Sequence, residues 1–376
     1  MLSSILTLIV AFLCLIALMI IHEFGHFIVA KKFGVRVDEF GVGYPPRIFG
    51  KKIGDTIYSI NWLPLGAFVR IYGEEGGADD YRSFISLKIW QRVLIVIGGV
   101  AAFWIVAIII FSIVFGMGAD LPVGDQDVQG MSNAQVKVVT VSPNSPAEQA
   151  GLKIKDTIEA VKVDNFITQI NKIADFQKIT NDNKGKEITM LIKRNDEALN
   201  FNLVPRVNPP VSEGSVGVGL ERMATLIKKY PFYEAPIQGI IFTWKTTVSG
   251  VVGLYSVFAD FFSGKGVPQG AELAGPLGIT IFLANAASYG PGFFLYLIGA
   301  ISVLIAIFNL FPIPALDGGK LIFLAIEKIM KKPVPAKIEQ NITVIFFILL
   351  ISLSIFITIR FDIPRFADFF KASFSR

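Results

Sequence analysis

One cysteine and two histidines occur in the 376 residues of this sequence, and each scarcity excludes something. Cys14 alone can build neither a disulfide framework nor a thiolate metal cluster, so a metal site here must use imidazole and carboxylate. Charged residues are also few, at 17% against 53% hydrophobic. That balance excludes a water-soluble globule of this length and indicates a membrane protein. No basic residue precedes the apolar run Leu2 to Ile21 and no small-residue cleavage site closes it, so the run is expected to be retained as a span. The net charge of +5 does not require nucleic acid as a partner, because Lys and Arg gather at the ends of apolar stretches, where they orient spans.

Long apolar runs are what the sequence has instead. Leu2 to Ile21 supplies about 20 residues, which at about 1.5 Å each reach across a hydrocarbon core of about 30 Å. Lys31, Lys32 and Arg36 follow. A Gly-rich stretch from Phe40 to Gly73, with "TIYSINWLPLGAFVRIYG", reads as short strands or hairpins. Ile89 to Phe115 is a second span between Lys88 and Arg92 at one end and the acidic "GADLPVGDQD" at the other. These flanks place the Lys31 to Lys88 loop inside. From Gln129 the composition becomes that of a soluble domain, with alternating strands "AQVKVVTV" and "EITMLIKR" and turns at "SPNSP" and "NDNKG". A Pro-rich connector runs from Val207 to Pro236. The next stretch, Ile237 to Phe262, contains Lys245, Thr246 and Thr247 and is expected to lie on or re-enter the membrane. Were it to cross, the basic "EKIMKKPVPAK" after the span Phe293 to Phe311 would fall on the wrong face. With a last span at Ile342 to Ile359 the expectation is about four transmembrane helices, both termini outside; the basic tail Arg360, Arg365, Lys371 and Arg376 runs against that orientation. The expected fold class is thus an α-helical polytopic membrane protein with a membrane-associated β-region and an inserted α+β domain. Its units are a first membrane unit at 1–128, an extracytoplasmic domain at 129–222, a connector with an amphipathic or re-entrant helix at 223–290, and a second membrane unit at 291–376.

The chemistry sits at the end of the first span, in "IHEFGH". Residues four apart on a helix lie about 40° apart around its axis, so the imidazoles of His22 and His26 point the same way and can grip one ion. Glu23 is within one turn, placed to take a proton from an attacking water. Polar residues snorkelling at a helix end are the bland alternative, but ionisable residues in an apolar helix are costly. A catalytic zinc usually takes three protein ligands, and no histidine remains. Cys14 lies about 12 Å from His22 by helical rise, too far to share an ion. Among the carboxylates in or beside apolar runs, Asp260, Glu272, Asp317 and Glu327, the best placed is Asp317 in "NLFPIPALDGGK". Its bland alternative is a turn or cap before Gly318 and Gly319. Pro312 and Pro314 break the helix just ahead of it, and broken backbone in a membrane is tolerated only against protein or a water-filled cavity. Asn309, one turn earlier, is a candidate oxyanion donor or an interhelical hydrogen-bonding residue.

The pairing of "HEFGH" in an early span with "NLFPIPALDGGK" in a late one resembles the site-2 protease family of intramembrane zinc metalloproteases, in particular the bacterial four-span type with one extracytoplasmic PDZ domain (the regulator-of-sigma-E protease type). The likeness runs along nearly the whole chain. "EFGVGYPPRIFG" and "INWLPLGAFVRIYGEE" resemble the family's membrane-associated β-region, "SPNSPAEQAGLKIKDTIEAVKVDNF" is similar to a PDZ core, and "AGPLGIT" resembles the Gly-Pro element before the third span. The resemblance implies His22, His26 and Asp317 as ligands of Zn2+, Glu23 as general base and Asn309 as a substrate or transition-state contact. It also implies that Leu65, Gly66, Ala67 and Phe68 belong to the strand that holds the substrate.

Implied partners are transmembrane protein substrates such as anti-sigma factors or signal-peptide remnants, an upstream site-1 type protease and the lipid bilayer. The implied location is the cell (inner) membrane, multi-pass, with the active site toward the cytoplasm. Two departures stand out: Gly99 and Ala102 replace the Pro and Asn of a Gly-Pro-x-x-Asn pattern, and Lys320 replaces the His after Asp-Gly-Gly. The PDZ-like domain is open to two readings, capture of a trimmed C-terminus or a filter against large ectodomains. The rival functions are a non-enzymatic PDZ-containing adaptor with a structural metal and a metal or proton transporter; the latter would be expected to repeat polar positions along its spans, which this chain lacks.

Overall fold

The computed structural model describes residues 2–74, 76, 80–127, 131–210, 213–263 and 274–367; Glu272, Lys371 and Arg376 lie outside them. The chain divides into two compact units, 1–116 with 231–376, and 117–230. Among the described residues five helices are long and apolar enough to cross a membrane, and the protein is a membrane protein with β-sheet in both units.

The larger unit opens with α1 (Leu2–Lys32). It ends where Gly34, at φ +76°, lets the Gly34 N–H bond to the Lys31 carbonyl and the Val35 N–H to that of Ala30. This glycine-terminated close satisfies the last carbonyls of the helix. Next come β1 (Val37–Ile53) and β2 (Thr56–Ile71), which pair antiparallel in two registers. Phe40 faces both Val69 and Tyr58, and Val42 faces both Ala67 and Ile60. The hairpin therefore folds back on itself, with residues 39–42 flanked on both sides, and 67–71 forms an edge that no other described strand pairs. Within it Glu39, only 4% exposed, accepts from the Ser59 hydroxyl at 2.6 Å and pairs with Arg47 at 2.7 Å, which compensates a buried charge.

Helix α2 (Ile89–Met117) runs antiparallel to α1 and crosses it at glycine. A Cβ on Gly98 would meet Val29 at 2.8 Å and the Gly25 carbonyl at 2.9 Å. Small residues of this kind let helices approach closely where lipid supplies no hydrophobic drive.

Helix α5 (Ala235–Phe262) is unbroken. Its Phe242 packs on Phe111 of α2 and on Tyr296 near the start of α7 (Pro291–Asn309), while its Phe258 packs on Phe311 just beyond α7's end. It thus runs beside α7, in the same direction, over the whole of α7. By length and composition Ala235–Asp260 is a candidate span, where the sequence, with Lys245 mid-run, suggested a surface or re-entrant helix.

The short α6 (Pro276–Ala286) and α7 each begin with proline at the first turn, where the missing N–H is no loss. The carboxylate of Asp362, fully buried in a π-helical turn after α9 (Ala336–Ile357), accepts from the Gly275 N–H at 3.1 Å. Between α7 and α9, helix α8 (Asp317–Met330) follows the break at Pro312 and Pro314. A Cβ on Gly318 or Gly319 would collide with the carbonyls of Leu310, Phe311 and Ile313, so this glycine pair seats α8 directly on the broken turn.

The smaller unit holds β3 (Ala119–Val123), β4 (Ser132–Val141), α3 (Pro146–Ala150), β5 (Thr157–Val163), β6 (Phe166–Gln169), α4 (Ile173–Asp182), β7 (Ile188–Arg194), β8 (Glu197–Leu203) and β9 (Val218–Ile227). Its antiparallel sheet has the order β3-β9-β4-β5-β7-β8, with β6 also on β5. Val136, Ile158, Ile188, Met190 and Ile192 centre its core. Ser145 caps α3, accepting from the Glu148 N–H at 3.2 Å, and the Glu148 side chain accepts from Asn144 at 2.7 Å. The pair resembles a capping box shifted by one residue, since Glu148 returns to the N–H before the cap residue. Arg222, 2% exposed, donates to Asp127 at 2.7 Å and to the carbonyls of Asn171 and Gly124 at 2.6 and 3.1 Å.

Candidate metal centre

The i, i+4 spacing on α1 sets His22 and His26 on one face, and α8 brings Asp317 to them. His22 Nε2 lies 3.3 Å from His26 Nε2, and each lies 3.5 Å from an oxygen of Asp317. Four donors around zinc at about 2.1 Å stand about 3.4 Å apart along each tetrahedral edge. The three separations match three corners of such a tetrahedron. The far nitrogen of His26 is held in place by α2, while that of His22 has no hydrogen-bond partner among the described residues. His26 Nδ1 lies 2.9 Å from the Ile95 carbonyl of α2 and donates to it, which leaves Nε2 as a lone pair facing Asp317. The His22 ring stacks on Phe103 at 4.7 Å. Asp317 Oδ2 has no hydrogen-bond partner among the described residues, an expense that a cation would remove. The donor set and its spacing fit zinc.

Beside the triad lies a cavity of about 580 Å³, in the usual range for ligand sites. Glu23 and Asn309 line it, as do Ala67, Val69 and Ile71 from the edge segment of β2. Glu23 also lies beside the backbone of Val69. Of the four residues expected to hold substrate, Ala67 reaches the cavity. Gly66 sits at φ +114° beneath Met19 and Tyr44, and Phe68 stacks on Tyr44; Leu65 belongs to the same strand. Of the other carboxylates weighed from the sequence, Glu327 forms a two-pronged pair with Arg92 and Asp260 is on α5; neither lines the cavity.

Sequence reasoning did not find the far wall of the cavity, which comes from α9 through Glu339, Gln340 and Thr343, together with Glu74 and Lys320. Burial pushes the Glu74 carboxyl above its ordinary range, and the Lys320 ammonium opposes that shift. Lys320 was visible only as a departure from the family pattern. Its partners lie on separate segments, and no local spacing announces them.

A sequence profile of peptidase family M50 matches residues 10–353. Proteins named as zinc metalloproteases are similar over nearly their full lengths. One from Clostridium perfringens is 33% identical over 93% of this chain and 96% of its own. One from Clostridium acetobutylicum is 31% identical over 95% and 97%, and one from a Nostoc species is 29% identical over 92% and 93%.

Proposed function

The chain belongs to peptidase family M50, the site-2 protease family, and from that premise we propose that this metalloprotease is an intramembrane zinc endopeptidase, cutting transmembrane protein substrates within or near their membrane-spanning segments. The observation that carries the reading is the convergence of His22, His26 and Asp317 beside Glu23, in a cavity walled by a strand edge that no other described strand pairs.

His22, His26 and Asp317 would hold the ion. When bound, zinc supplies Lewis acidity at the scissile carbonyl and makes the attacking water more acidic. Glu23 accepts the proton of that water and delivers it to the departing amide nitrogen. Asn309 donates to the oxygen that becomes negative as the carbonyl turns tetrahedral. A helical substrate hides each carbonyl in its own hydrogen bonds, so it must unwind before attack; pairing to the 67–71 edge replaces those bonds with new ones.

The proposed setting is the inner membrane, with the site toward the cytoplasmic face, since His22 and Asp317 lie near the ends of their apolar runs that carry basic flanks. The 117–230 unit is proposed to be PDZ-like, on the strength of the "SPNSPAEQAGL" segment that forms α3 with its caps. An upstream site-1 type protease is the proposed supplier of trimmed substrate. The decisive experiment incubates purified wild type and Glu23→Gln with a transmembrane test substrate. The wild type alone cleaves, and both carry zinc; zinc without cleavage in the wild type overturns the reading.

A further inference from the structure

Lys320 stands on the first turn of α8, three residues after Asp317, and its ammonium makes two bonds that leave the helix. It donates to the Glu74 carbonyl at 3.2 Å and to Glu339 Oε1 at 2.7 Å. Glu74 lies three residues beyond the end of β2, and Glu339 is on the first turn of α9. The stem runs past the ring of Phe84, itself 1% exposed, with the ammonium 5.4 Å from its centroid, so the lysine is braced.

The cavity lies between these same two elements. Ala67, Val69 and Ile71 form one wall, and Gln340, Thr343 and Val344 part of the other. Beyond the tie lies a second, smaller pocket of about 60 Å³ that shares Glu74, Lys320 and Glu339 with the first. Close to the tie the loop and α9 also touch: a Cβ on Gly76 would come within 2.7 Å of Ala336. Helix α9 has little other anchorage here, since none of its residues is fully buried and Thr343 makes one bond, to the Pro314 carbonyl at 3.2 Å.

We propose that Lys320 is a positioning residue: by joining the loop after the edge strand to α9 it fixes the width of the slot into which the substrate strand is laid, and with it the depth of the scissile bond. The proposal rests on the protease reading for its substrate, while the tie itself is testable without catalysis. Lys320 touches neither the metal ligands nor the reacting atoms. Its removal widens the slot and leaves the triad in place, so binding suffers before chemistry does.

The experiment uses the full chain in detergent with Cys14→Ser and Gln340→Cys, which places one thiol on the slot wall. In Lys320→Met and, independently, Glu339→Leu, which leaves no acceptor for the ammonium, alkylation of that thiol by a water-soluble maleimide is expected to quicken by about threefold or more, with zinc content unchanged. With a transmembrane substrate and native Gln340, KM is expected to rise about tenfold while kcat changes less, and products to spread over neighbouring bonds. Lys320→Arg, which keeps a donor for both partners, restores both readouts. Unchanged alkylation and KM in both single variants overturn the proposal, as does loss of zinc in them or failure of Lys320→Arg to restore either readout. Should the wild type itself lack cleavage, the protease reading fails, and the alkylation rates still decide whether the tie holds the slot.

Discussion

The Nε2 of His26 occupies the space in which a Cβ on Gly99 would stand. Here α1 and α2 cross so closely that the His26 imidazole fills the room left by a missing side chain, while its other nitrogen bonds to the Ile95 carbonyl one turn along α2. Gly99→Ala is therefore expected to push the ring off its position, lowering zinc affinity by about 10- to 100-fold and stability by about 1–3 kcal/mol. Zinc titration and thermal melts check the two separately, and Gly116→Ala, whose added Cβ would meet only Ala235 at 3.9 Å, is the control.

Glu23→Gln keeps shape and hydrogen bonding but cannot accept a proton. Cleavage is expected to fall by about 100- to 10,000-fold with one zinc retained per chain, measured by product formation alongside metal analysis.

Asp317→Ala removes the corner of the triad contributed by α8. Zinc content after dialysis is expected to drop far more than in Glu23→Gln, since two donors from one helix remain where a catalytic site needs three. Asp317→Asn, which keeps one oxygen donor without the charge, is expected to fall between the two.

Substrate unwinding predicts a dependence on substrate sequence. Each leucine near the scissile bond replaced by glycine is expected to speed cleavage by about fivefold, corresponding to about 1 kcal/mol of helix propensity. A rate insensitive to such changes would show that unwinding contributes nothing to the barrier.

In the smaller unit, the Arg222 guanidinium, and after it Lys172, hold the Asp127 carboxyl below the usual carboxylate range. A carboxylate with a lowered folded value contributes stability that is fully present above its unfolded value, about pH 4, and is lost as pH falls through the folded one. Melting of the full chain is thus expected to lose part of its acid sensitivity below about pH 4 in Asp127→Asn. Arg222→Leu, which orphans buried carbonyls, is expected to cost about 1–3 kcal/mol for each group left unpaired.

Much of this was legible in the sequence because it is local. The spacing of His22 and His26 is a property of one helix, and the scarcity of histidine directed attention to carboxylates, of which Asp317 alone follows a proline-broken span. The strand-rich character of 56–71 and the alternation in β4 and β7 were equally readable. What stayed hidden depends on elements far apart in the chain. Nothing around Gly99 says that an imidazole needs its space, and nothing around Lys320 or Glu339 says that they meet. The double register of β1 was invisible because strand patterning gives a face but not a partner. Helix α5 was read as surface-lying or re-entrant because a crossing would put the basic "EKIMKKPVPAK" on the wrong face, and parity of that kind says nothing of its packing along α7 through Phe242, Gly250 and Phe258.

The triad is divided between α1 and α8, with the whole 117–230 unit encoded between them. A ribosome making this chain has therefore synthesised four of the five candidate spans and an entire folded module before Asp317 exists. Under the proposed function the nascent protein carries an incomplete centre until then, and two co-expressed fragments separated within 117–230 are expected to regain the centre only after they find each other in the bilayer.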